Sequence, residues 1–160
     1  MHDIPANEHT VVLTTVQASI DQCFAVGIDI EAYPEWVKGL VSAEVEERDD
    51  LGRPVRVRFV ASGMGRDTAY VLAYDLSGAP ERLAWTLVEG DLTTRLEGAY
   101  LFEPSPDEPD ATDVTYELIV DLAIALPGYV KRRAEDKIVE AALQRFADRV
   151  LAVSSSGFPA

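Results

Sequence analysis

Apolar and polar residues along this chain follow two different periods, and the change between them predicts the architecture. Near the C-terminus Val139, Ala142, Leu143, Phe146, Val150 and Val153 recur at three- and four-residue spacing, which places them on one side of an α-helix. Pro127 and Gly128 interrupt the preceding apolar run, and no further Pro or Gly occurs until Gly157, so one long helix is predicted over Leu126–Val153. Its N-terminal half carries Gly128, Arg132, Glu135 and Asp136 on that same side. Either those first turns overhang into water, or they look into the mouth of a cavity.

From Leu40 onward the period is 2, which predicts a meander of strands. Val41, Ala43 and Val45 alternate with Ser42, Glu44 and Glu46, and Asp49 to Gly52 make a turn. Val55, Val57 and Phe59 then alternate with Arg56 and Arg58. Further strands follow through Tyr70 and Tyr74, through Leu83, Trp85, Leu87 and Glu89, through Leu96 to Phe102, and through Val114 to Leu122. Gly98 suggests a bend in its strand. Ahead of the meander, His9–Val16 reads as a first strand. Ser19 and Gln22 have capping-box spacing for a helix ending near Gly27, and Asp29 is placed to cap a short turn that Pro34 cannot continue regularly.

The predicted fold class is therefore α+β: a curved seven-stranded antiparallel sheet around a long C-terminal helix, with two short helices between strands 1 and 2. The apolar half of the helix is expected to pack on the sheet. Its polar half is expected to lift away, leaving a cavity toward Tyr70, Tyr74, Trp85 and Tyr100. In a meander successive turns fall at alternate ends, so 63–66, 89–92 and 125–128 are expected to ring the opening.

Composition narrows the chemistry. At 160 residues and 48% apolar, a single domain is expected, with its core over about 9–153 and flexible ends at 1–8 and 154–160. The net charge of −14 disfavours nucleic acid as a partner. The absence of a basic leader and of an apolar run of roughly 18 residues points to a cytoplasmic protein without integral membrane association. One cysteine, Cys23 in an apolar setting, suggests a buried inert thiol, and the only histidines are His2 and His9. Asp29, Glu31 and Glu35 are loosely spaced with no histidine nearby. No metal and no cofactor are expected.

Several segments carry a family resemblance: DIEAYPEWV at 29–37, GRPVRVRF at 52–59, LAWTLVEG at 83–90, LEGAYLFEP at 96–104, DVTYELIVDLAIALPG at 113–128 and VKRRAE at 130–135. With the element order, they resemble the START-like (SRPBCC) superfamily and its bacterial polyketide cyclase/dehydrase branch, related to coenzyme-Q-binding START-like proteins. The resemblance runs from about Thr10 to Val153 and implies the helix-grip fold. It implies a cavity rather than a fixed catalytic motif, and it carries no catalytic residue onto any position here.

The expected ligand-binding residues are Phe59, Tyr70, Tyr74, Trp85, Leu87, Tyr100 and Tyr116 on the sheet, with Arg132 and Glu135 on the helix. The rings are equally suited to a plain core, but their hydroxyl and N–H groups need partners when buried. Glu89 and Tyr100 are the catalytic candidates, Glu89 because it continues the inward parity of Leu83, Trp85 and Leu87. A solvated strand-end glutamate is the alternative. The leading expectation is binding and carriage of a hydrophobic or amphipathic small molecule: a lipid, polyketide or isoprenoid. The alternatives are a polyketide cyclase, aromatase or dehydratase using cavity Tyr, Glu and Arg groups, and a protein-interaction adaptor.

Overall fold

The structure is a computed structural model. It describes the backbone of residues 9–63, 65–122 and 128–155 and the side chains of 10–62, 65–120 and 139–154. Strand β1 (His9–Val16) leads into α1 (Ile20–Ile28) and a 3-10 helix (Ile30–Glu35). Strands β2 (Leu40–Arg48), β3 (Pro54–Gly63), β4 (Arg66–Asp75), β5 (Arg82–Gly90), β6 (Thr93–Pro104) and β7 (Thr112–Leu122) follow, and α2 (Gly128–Ser155) ends the order.

The sheet runs β1-β7-β6-β5-β4-β3-β2, every neighbour antiparallel. The segment holding α1 and the 3-10 helix joins the two opposite edges of the sheet. It starts with the capping box read from the sequence: Gln22 N–H donates to Ser19 Oγ at 3.1 Å, and Ser19 N–H to Gln22 Oε1 at 2.9 Å. Asp29 departs from expectation. It occupies the N-cap position just before the 3-10 helix, but its side chain makes no capping bond. Its backbone already closes α1, donating to Val26 O at 3.3 Å with ψ of 66°, far from the ψ of 164° that lets Ser19 cap. The 3-10 helix accommodates Pro34 in place of a regular α-turn.

Outward carboxylates and guanidinium groups pair on the surface. Glu46 accepts from both Arg56 and Arg58, at 3.2 and 3.1 Å. Glu31 pairs with Arg48 at 2.8 Å and Glu35 with Arg149 at 3.0 Å. Two of the three acidic residues weighed as metal ligands are thus held by arginines, and no metal-ligating cluster occurs among the described residues.

The stripe on α2 docks as its spacing requires. Val139, Leu143, Phe146 and Val150 are buried, and the last three share one core cluster with Leu83, Phe102, Val57 and Val114. Gly27 lets α1 approach closely, because a Cβ there would lie 3.2 Å from Leu83 Cδ2 and 3.9 Å from Phe146 Cε1. Gly98 serves a neighbouring ring: a Cβ would fall 2.5 Å from Trp85 Cζ2, so the missing side chain is the space in which the indole lies. Cys23 is fully buried. Desolvation pushes its thiol up to about 11 against the opposing hydrogen bond with Thr112, so it stays protonated at neutral pH.

Candidate functional site

Between α2 and the inner face of the sheet lies a cavity of about 480 Å³, within the roughly 300–1,000 Å³ typical of small-molecule sites. Alternation on the strands supplies its floor: Phe59 and Ala61 from β3, Tyr70, Leu72 and Tyr74 from β4, Trp85 from β5, Leu96 and Tyr100 from β6, Tyr116, Leu118 and Val120 from β7. Tyr33 of the 3-10 helix, with Trp36, Val37 and Leu40 just after it, makes one wall. Ala142 and Arg145 of α2 make the roof.

The rings form a nearly closed hoop. Tyr70 stacks on Phe59 with centroids 5.4 Å apart, Phe59 meets Tyr33 at 6.3 Å, and Tyr33 meets Trp36 edge-on at 5.1 Å. Trp36 then reaches Phe146 at 6.1 Å, and Phe146 reaches Tyr100 at 4.6 Å. Tyr100 leads to Trp85 at 5.5 Å, and Trp85 to Tyr74 at 6.1 Å. Contacts in this range stabilise one another beyond their area burial, so each ring is held by at least one neighbour. Trp36 thus bridges Tyr33 of the 3-10 helix and Phe146 of α2.

The hydroxyls divide into two sets. Tyr33 Oη donates to Gly27 O at 2.5 Å and so fastens the 3-10 helix to α1. Among the described residues the hydroxyls of Tyr70, Tyr74, Tyr100 and Tyr116 have no hydrogen-bond partner. Desolvation raises all five phenols, with Tyr70 pushed up to about 12 and the others also well above the usual tyrosine value. Tyr33, Tyr70 and Tyr116 are half-buried and line the cavity. The cavity therefore presents four neutral O–H groups that can donate to oxygen atoms of a guest.

Of the residues expected from the sequence, Phe59, Tyr70, Tyr74, Trp85, Tyr100 and Tyr116 come together on the lining. Leu87 does not; it is partly buried and packs against the core. Glu89 lies on the opposite face of the sheet, its side chain 60% exposed and 3.2 Å from Arg58. A register shift is the reason. Leu87 pairs with Leu72 but Glu89 pairs with Val71, so Val88 is an extra residue in β5. Beyond that bulge Gly90, opposite Tyr70, takes the inward place and Glu89 turns out. The side chains of Arg132 and Glu135 lie outside the described residues, as does the loop of 125–127.

Described lining residues near the strand turns are Ala61, Ser62 and Thr68 around β3–β4, and Leu92 and Thr93 around β5–β6; none comes from 49–53 or 104–110. The sequence reading missed the wall of Trp36, Val37 and Leu40, and it missed Arg145. Arg145 stands three residues from Ala142 on the flank of the stripe, a spacing that was available in the sequence but not separable from an exposed helix face.

A family model described as polyketide cyclase / dehydrase and lipid transport matches residues 16–147. The chain belongs to this family. Its fold is the START helix-grip fold, shared with solved structures of low sequence identity. A START superfamily protein from Mycobacterium smegmatis superposes with a TM-score of 0.81 at 22% identity, over 91% of this chain and 98% of that one. The Zhui aromatase/cyclase from a Streptomyces species does so at 0.73 and 17%, over 91% and 94%. A STAR-related lipid transfer protein from Xanthomonas axonopodis gives 0.67 and 15%, over 92% and 89%. No curated protein sequence matches the chain. Among its described residues, this member has no helix long and apolar enough to cross a membrane.

Proposed function

We propose that this START-like chain binds and carries a hydrophobic or amphipathic small molecule in the cavity under α2. The observation that carries the reading is the lining itself: aromatic and aliphatic side chains around about 480 Å³, with no carboxylate among the described lining residues. Burying a methylene contributes about 0.8 kcal/mol, so a chain of about ten carbons offsets only the lower part of the ~4–15 kcal/mol cost of association. Ring contacts and polar anchoring of the guest must supply the rest. The four tyrosine hydroxyls without a partner among the described residues suit such anchoring.

Native mass spectrometry of the purified chain, paired with solvent extraction, tests this directly. An added apolar mass is expected, and it should be lost in Ala142→Trp, whose side chain would fill the roof of the cavity. An adduct that persists in the filled variant would place the guest elsewhere.

The same hydroxyls favour a second reading, a cyclase, aromatase or dehydratase acting on a carbonyl-rich chain. With Glu89 on the outer face, proton donation would fall to phenols held neutral, Tyr100 first among them, polarising a carbonyl oxygen. Loss of cyclisation of a poly-β-ketone in Tyr100→Phe, with guest binding retained, would separate the enzyme from the carrier. The adaptor reading draws less support. Exposed large apolar side chains are dispersed over β1, β2, the β2–β3 turn, β5 and α2.

A further inference from the structure

Arg145 is out of keeping with the surface it lines. The chain has 28 acidic residues against 14 basic ones, yet the described lining of the cavity contains no Asp or Glu and a single Arg. Arg48, Arg53, Arg56, Arg58, Arg82, Arg95 and Arg149 each have a carboxylate within 3.6 Å; exposed Arg66, at the start of β4 and off the cavity lining, has none among the described residues. Arg145 has none among the described residues. Its own helix offers little: Ala141 and Ala142 occupy the preceding turn, and Asp148 accepts from Gln144 at 3.0 Å. Arg149, one turn later on the same flank, is bound to Glu35 at the end of the 3-10 helix. That contact fixes the direction of the flank, toward the wall made by Trp36, Val37 and Leu40.

Exposed and unpaired among the described residues, yet bordering the apolar interior, Arg145 stands where the cavity meets solvent. A guest with its apolar part among the rings would bring its head to this guanidinium. A carboxylate suits the fork geometry and, partly desolvated by the rim, is held more strongly than in open water. A neutral ester of the same length forfeits the ionic component, and a cationic head is repelled. We propose that Arg145 is a specificity-determining residue that selects amphipaths bearing a carboxylate head, an inference that rests on the binding function proposed above.

The chain's two tryptophans, Trp36 and Trp85, both line the cavity, so intrinsic fluorescence reports entry of a guest. Decanoic acid, methyl decanoate and decylamine would be titrated at pH 8, below their aggregation limits, into the wild type, Arg145→Gln and Arg145→Lys. The wild type should bind the acid about tenfold or more tighter than the ester, the scale of one charge-assisted hydrogen bond. Arg145→Gln should erase that preference while ester affinity stays within about twofold, and Arg145→Lys should restore part of it as a point charge. If wild type binds acid and ester alike, or the preference survives in Arg145→Gln, the role of Arg145 is overturned and the cavity reading stands. If none of the three probes perturbs either tryptophan, both fail together.

Discussion

Phe146 joins stability to site formation in one side chain. It is fully buried, it packs against Phe102 at 5.9 Å, and it links Trp36 to Tyr100 in the hoop of rings. Phe146→Ala should therefore cost about 3–5 kcal/mol, as for other fully buried Phe truncations, and should loosen the wall of the cavity as well. Chemical denaturation checks the first effect. A change under about 1 kcal/mol would mean that α2 docks by another face. This residue was legible in the sequence because helical spacing exposes a stripe directly. Arg145 was not, since a charged residue at the edge of a stripe looks the same whether it borders water or a cavity.

Among the elements, β5 shows where pattern reading stops. Leu83, Trp85, Leu87 and Glu89 alternate without interruption, and nothing in the residue types announces that Val88 is extra. The bulge is a property of pairing with β4, and it decides which face Glu89 takes. Glu89→Gln should consequently leave guest binding unchanged and cost less than about 1 kcal/mol, because its pair with Arg58 is solvent-exposed. A large loss of binding in that variant would contradict the outward placement.

The β2–β3 turn makes a separate, pH-dependent claim. Asp49 accepts from the backbone N–H of Arg53 and Leu51, at 2.9 and 3.0 Å, and from Arg53 Nε at 2.9 Å. Its carboxyl is held below its ordinary 3.8, first by the Arg53 backbone bond and then, against some desolvation, by the Arg53 side chain and the Leu51 bond. A carboxyl depressed in the folded state stabilises it above the ordinary value, and that contribution is lost as pH falls through the lower, folded value. The melting temperature of wild type should exceed that of Asp49→Asn at neutral pH, with the gap closing below about pH 3.8. A gap constant with pH would show that the carboxylate charge contributes nothing to the turn.

For the molecule as a whole, element order and sheet parity were legible because both follow from local periodicity. The family was legible because its segments span the chain. What escaped is what tertiary structure alone creates: the wall of Trp36, Val37 and Leu40, the ring-to-ring hoop, and the void left where α2 and the sheet do not meet. Cavity volume is the difference between two surfaces, and one sequence specifies each surface only in part.

Methyl NMR during titration with decanoic acid locates a guest beneath α2, since leucines lie both on the lining and far from it. Shifts should concentrate on Leu40, Leu72, Leu92, Leu96 and Leu118 around the cavity, with Leu13, Leu51 and Leu151 on the outer surface unmoved. Shifts confined to the outer leucines, or none at all at saturating ligand, would contradict a binding site beneath α2.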